Sequence, residues 1–200
     1  SFDISVGGAY TTIDGTPGPD ILNGTSGQDV INGLGSDDEL YGNEENDILY
    51  GGSGDDRMVG GLGDDEMYGG DGNDTYYVDS VGDVVVEAAG GGRDQIFSSV
   101  SITSLAAHVE ELTLTGSSAI DGTGNALDNK MIGNGAANVL TGLGGSDTMR
   151  GKGGNDTLIG GEANDFLYGD AGADTLIGNA GRNVLTGGGG ADKFVFANIP

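Results

Sequence analysis

The chain contains no cysteine, one histidine, and only 7 Lys or Arg among its 200 residues. Without cysteine there is no disulfide framework, no thiolate metal site and no cysteine nucleophile. Seven cations against 32 Asp and Glu leave a formal net charge of −25. That balance excludes a nucleic-acid binder, because neutralising phosphates takes Lys and Arg. An anionic membrane surface would repel the chain for the same reason. No apolar run approaches the roughly 20 residues of a membrane-spanning helix. Residues 1–14 (SFDISVGGAYTTID) lack the basic start and long apolar stretch of a signal peptide. Export by another signal, or a piece of a longer protein, is therefore expected, and the apolar run Phe194-Val195-Phe196 just before Pro200 favours the piece.

What the chain has in excess is glycine, 43 residues of it, and the glycine is periodic. Gly15, Gly24, Gly33, Gly42, Gly51, Gly60 and Gly69 recur at every ninth position. Five residues after each comes an aspartate: Asp20, Asp29, Asp38, Asp47, Asp56, Asp65 and Asp74. Two residues later comes one large side chain, from Leu22 and Ile31 to Met67 and Tyr76. The unit reads G-G-x-G-x-D-x-U-x, with U large and usually apolar. It resumes at Gly124, with aspartates at Asp147, Asp156, Asp165, Asp174 and Asp192 and asparagines at Asn129, Asn138 and Asn183. A strict period of this kind calls for a repeat architecture, not for disorder.

The glycine-rich half of each unit suits a turn, since glycine adopts positive φ freely. The x-U-x tail suits a short strand in which only U faces inward, because successive side chains alternate faces. Two nonapeptide units then make one coil, with turns on opposite edges. One inward side chain per unit is a thin core, and carboxylates stacked coil upon coil repel. Calcium reverses that repulsion, because it takes six to eight oxygen ligands from carboxylates and backbone carbonyls. Aspartates two units apart face each other across adjacent coils. The expected pairs are Asp20/Asp38, Asp29/Asp47, Asp38/Asp56, Asp47/Asp65 and Asp56/Asp74, then Asp147/Asp165, Asp156/Asp174 and Asp174/Asp192. About eight calcium ions follow from that pairing. Asparagine offers a carbonyl oxygen but no charge, so sites at Asn129, Asn138 and Asn183 should be weaker or empty.

The repeat, best preserved in GGSGDDRMV, GGLGDDEMY, GGDGNDTYY and GKGGNDTLI, resembles the RTX (repeats-in-toxin) family of secreted bacterial proteins, an established calcium-binding signature. The resemblance covers about two thirds of the chain. It implies an all-β fold, a right-handed parallel β-roll (β-solenoid) binding calcium in its turns. It further implies export unfolded through a type I secretion channel, with folding outside the cell. Ser36 and Glu45, and later Leu127, Ala136 and Ala163, depart from the pattern by replacing the fourth-position glycine.

The expected organisation is an N-terminal cap or strand (1–14), a first β-roll block of seven nonapeptides (15–77), an irregular β insert (78–123), a second block of eight nonapeptides (124–195) and a C-terminal edge (196–200). Val84–Val86, Ile96-Phe97 and Val109–Thr115 read as strands in the insert. The insert's length breaks the nonapeptide frame. One elongated domain is the expected arrangement, and two separate rolls the alternative.

The remaining residues of interest take plain readings. Asp55, Asp64 and Asp71 read as solvated acids. Tyr50 and Tyr68 read as an outward cross-strand ladder, though an aromatic stripe on a flat sheet also suits sugar rings. Glu39 and Arg57 read as a weak ladder ion pair. His108 has no nucleophile or second ligand converging on it in sequence and reads as a surface or packing residue. The sequence thus predicts a non-catalytic calcium-binding module of a larger secreted protein. Its expected partners are calcium ions and neighbouring domains, with no nucleic acid and no membrane span. A polysaccharide-binding or adhesin surface, or the non-catalytic region of a secreted enzyme, is the alternative.

Overall fold

The structure is a computed structural model and describes residues 10–196. Residues 1–9 of the expected cap and 197–200 of the expected C-terminal edge lie outside the described residues. The described residues are all β, with no helix. None is therefore in a helix long and apolar enough to cross a membrane. The chain divides into two compact units, 1–92 and 93–200.

The first unit runs β1 (Thr11–Asp14), β2 (Ile21–Asn23), β3 (Asp29–Asn32), β4 (Glu39–Glu44), β5 (Ile48–Ser53), β6 (Arg57–Leu62), β7 (Glu66–Asp71), β8 (Thr75–Val78) and β9 (Val84–Val86). Alternate strands pair in parallel, so β1, β3, β5, β7 and β9 form one stack and β2, β4, β6 and β8 the other. The register is two nonapeptides throughout: Ile31 lies beside Leu49 and Leu49 beside Met67, while Leu40 lies beside Met58 and Met58 beside Tyr76. These inward residues are fully buried between the two stacks. The strands outgrow the x-U-x tail, because ladder pairing continues into the turn at Gly52 and Gly70.

The second unit runs β10 (Gln95–Ser98), β11 (Glu111–Leu114), β12 (Gly122–Thr123), β13 (Lys130–Ile132), β14 (Val139–Leu143), β15 (Thr148–Arg150), β16 (Thr157–Gly161), β17 (Phe166–Ala171), β18 (Thr175–Asn179), β19 (Val184–Gly189) and β20 (Lys193–Val195). It has the same design. Its core is the column of Met131, Met149 and Leu167 against that of Leu140, Leu158 and Leu176, all fully buried.

The expected insert shows where the frame holds and where it slips. Glu66 pairs with Val84, so the frame of two nonapeptides per coil persists through Val86. In the second unit Gln95 pairs with Glu111 and Glu111 with Lys130. The first of these coils is shorter than two nonapeptides and the second longer. The outward faces carry ladders. The Tyr50 and Tyr68 rings stack with centroids 4.9 Å apart, and the Tyr68 hydroxyl donates to Glu66 at 2.7 Å. Arg57 lies over both Tyr41 and Tyr77 and donates to the Tyr41 hydroxyl. Its Glu39 contact is only 4.0 Å, so stacking and the phenol bond outweigh the ion pair read from the sequence.

Candidate metal centre

The parallel stacking brings the repeat aspartates into columns at the coil edges. The first unit has Asp20, Asp38, Asp56 and Asp74 on one edge and Asp29, Asp47 and Asp65 on the other. The second has Asp147 and Asp165 on one edge and Asp156, Asp174 and Asp192 on the other. Each column is tied by one recurring bond. The backbone N–H of Asp20 donates to Asp38 Oδ1 at 2.7 Å, that of Asp38 to Asp56 at 2.8 Å and that of Asp56 to Asp74 at 2.8 Å. The other columns repeat this from Asp29 to Asp47 and Asp65, from Asp147 to Asp165, and from Asp156 through Asp174 to Asp192.

That bond uses one carboxylate oxygen. The second, Oδ2, is buried and accepts no hydrogen bond in Asp38, Asp47, Asp56, Asp65, Asp147, Asp156, Asp165 and Asp174. It lies over the first glycine of its own turn, together with the carbonyl oxygen of the glycine one coil on. A Cβ on Gly42, for example, would strike both Asp47 Oδ2 and the Gly60 carbonyl. Asn183 shows what else faces this atom, because its side-chain nitrogen donates to the Asn179 and Ala180 carbonyls at 3.4 and 3.0 Å. An aspartate in the same place offers a carboxylate oxygen to backbone oxygens, with no proton between them.

Burial raises the carboxyl pKa values. Desolvation is the largest cause, opposed by the backbone N–H bond and reinforced by the neighbouring carboxylate. It pushes Asp47, Asp56 and Asp156 up to about 6 and Asp65 and Asp147 up to about 7. Asp38 and Asp165 are raised as well. A buried acceptor with no donor costs free energy of order 1–3 kcal/mol, more when charged. Eight such atoms therefore call for cations. The donors are all oxygen, carboxylate and carbonyl, which suits a hard cation such as calcium and not a soft metal.

The turn backbone explains the glycines. The second and fourth residues of the later turns have positive φ, as at Gly61 (101°) and Gly63 (150°). A side chain at Gly63 would also strike the Glu45 carbonyl one coil below. Ser36 (φ 76°) and Glu45 (φ 68°) adopt the same conformation despite their side chains, so the repeat geometry overrides their preference.

Two features escaped the sequence reading. Asp83 extends the Asp47–Asp65 column, accepting the Asp65 N–H at 3.1 Å. Its place two nonapeptides beyond Asp65 was the available signal, masked by Val78 standing where the repeat glycine belongs. The fifth residue of the unit also builds a ladder, running the opposite way. The Asp55 N–H donates back to Asp37 Oδ1 at 2.9 Å, and the Asn73 N–H to Asp55 Oδ1 at 2.7 Å. Asp55 and Asp64 are exposed, as expected of solvated acids, but Asp55 also caps a backbone donor.

Paired oxygen-lined turns on a parallel coil define a calcium-binding β-solenoid. A family model of the RTX calcium-binding nonapeptide repeat matches residues 14–49, 41–76, 50–85, 123–158 and 159–194, more than two thirds of the chain. The chain belongs to the RTX calcium-binding nonapeptide-repeat family. No curated protein matches it.

Proposed function

We propose that the chain is a non-catalytic module that folds when it binds calcium outside the cell, and that it thereby stabilises or helps fold a larger secreted protein. One observation carries this reading: the columns of buried Oδ2 atoms that no protein donor satisfies. Asp38, Asp47, Asp56, Asp65, Asp147, Asp156, Asp165 and Asp174 would hold calcium, together with backbone carbonyls of the stacked turns. When bound, the ion supplies positive charge between carboxylates that otherwise repel. A ligand that binds the folded chain and not the unfolded one stabilises folding by mass action. Each pair of aspartates spans two coils, so filling one site helps form the next, as expected of a linear repeat.

The test is far-UV circular dichroism of the chelator-treated chain during a calcium titration, with magnesium as control. A steep gain of β-structure with calcium alone is expected. A chain fully folded in chelator, and unchanged by calcium, would refute the reading.

A further inference from the structure

We propose that the backbone conformation at the second residue of each nonapeptide decides whether its turn takes calcium or closes on itself, and that the turns of Asp20 and Asp29, which carry threonine there, are of the self-closing kind. The inference rests on the calcium reading above and refines it. By spacing alone these two aspartates are ligands like the rest. The structure treats them differently.

In the calcium-type turns the second residue has positive φ: Leu34 (80°), Asn43 (86°), Gly52 (113°) and Leu143 (80°) are examples. In four turns it does not. There the second residue is Thr16, Thr25, Asn125 or Asn134, none of which is in the left-handed region. With that change the polar bonding of the turn is rebuilt. The Thr16 N–H and hydroxyl donate to Asp20 Oδ2 at 2.5 and 2.9 Å, and the hydroxyl accepts the Gly18 N–H at 3.3 Å. Thr25 does the same, its N–H and hydroxyl reaching Asp29 Oδ2 at 2.6 and 3.0 Å while the Gly27 N–H donates to the hydroxyl at 3.1 Å. The oxygen left bare in Asp38 or Asp47 has two donors here.

The asparagine turns reach the same end without charge. The Asn125 N–H donates to Asn129 Oδ1 at 2.8 Å and the Asn134 N–H to Asn138 Oδ1 at 2.9 Å. The Asn129 and Asn138 side-chain nitrogens then donate to Asn125 Oδ1 and Asn134 Oδ1 at 3.1 and 3.2 Å. Asn138 also donates to the Ile120 carbonyl at 2.6 Å, so its amide stands where a cation would otherwise be needed. Each repeat block thus opens with one self-closed turn on each edge, and the glycine-hinged turns follow. Asn183 is the contrasting case. Its turn keeps the left-handed pair Asn179 (60°) and Gly181 (91°), and only its sixth residue has changed.

Calcium stoichiometry of the full chain, by equilibrium dialysis, tests this. Asp20→Asn with Asp29→Asn keeps an acceptor for each threonine and copies the residue that the second block uses. It should leave the number of bound ions unchanged and the calcium midpoint within about twofold. The same double change at Asp38 and Asp47 should remove at least two ions. A second arm, Thr16→Gly with Thr25→Gly, frees Asp20 and Asp29 and should add ions. Loss of ions in the Asp20/Asp29 variant, or no gain in the threonine variant, would overturn the inference while leaving the calcium reading intact. A wild-type chain that takes up no calcium would overturn the calcium reading itself.

Discussion

The backbone N–H of Asp38 donates to the side chain of Asp56 at 2.8 Å, one coil further on. Two carboxylates that repel through space are thus held in register by the backbone of one and the Oδ1 of the other. The same bond leaves Asp56 Oδ2 buried and bare. Structural duty and metal affinity are therefore divided between the two oxygens of one side chain.

That division separates two substitutions. Asp56→Asn keeps Oδ1 for the Asp38 N–H and removes the charge shared by the Asp38/Asp56 and Asp56/Asp74 pairs. Asp56→Ala removes the acceptor as well. Both should lose bound calcium. The alanine variant should also be less stable than the asparagine variant by about 1–3 kcal/mol, the cost of a buried unsatisfied N–H. Denaturant unfolding in saturating calcium measures the difference.

Protons should partly replace calcium. Burial raises Asp47, Asp56 and Asp156 to about 6, and Asp65 and Asp147 to about 7, against about 3.9 in an unfolded chain. The metal-free fold therefore favours the protonated carboxyls. Its electrostatic penalty is complete above pH 7 and is relieved as the pH falls through 7 and 6 toward 4. In chelator, circular dichroism should show more β-structure at pH 5 than at pH 8. The calcium midpoint should shift to higher concentration over the same interval, because ions and protons compete for the same oxygens. A pH-independent calcium midpoint would count against these carboxyls as ligands.

The strained turns predict gains as well as losses. Glu45 holds φ at 68°, where an L side chain costs roughly 1–2 kcal/mol. Glu45→Gly should stabilise the calcium-loaded chain by about 1 kcal/mol once glycine's greater unfolded entropy is counted. Gly63→Ala, one coil above, should do the reverse by more than that. It combines a φ of 150° with a Cβ driven into the Glu45 carbonyl. Thermal unfolding of the two variants gives the comparison.

Asn183→Asp should create a site. The turn already has left-handed residues at Asn179 and Gly181, and the Asp165 N–H already donates to Asn183 Oδ1 at 2.8 Å. Replacing the amide donor by a carboxylate oxygen leaves the Asn179 and Ala180 carbonyls facing an acceptor. One additional calcium ion is expected in equilibrium dialysis, with a weaker chain in chelator.

The period of nine carried most of the fold in plain sight. Glycine, aspartate and one large residue at fixed offsets specify turn, column and core, and Ile31, Leu49 and Met67 stack as that spacing requires. What spacing does not encode is how a turn satisfies its own polar atoms. Thr25 and Leu34 occupy the same place in the unit, yet a hydroxyl that bonds Asp29 and an aliphatic chain that cannot bond Asp38 give different turns. The length of the insert shows that the frame breaks there, but not that the break falls after Val86 as one short coil and one long coil.

The constant offset between neighbouring strands within each repeat block bears on how such a protein changes over generations. Copying or deleting one whole coil, such as 42–59, would return every inward side chain to the interior and every turn to its own edge. Copying a single nonapeptide would exchange the edges of everything downstream, seating each later strand on the opposite stack. Length is therefore free to vary by tandem duplication in whole coils, each adding a rise of about 4.8 Å, while half-coil changes disturb all that follows them.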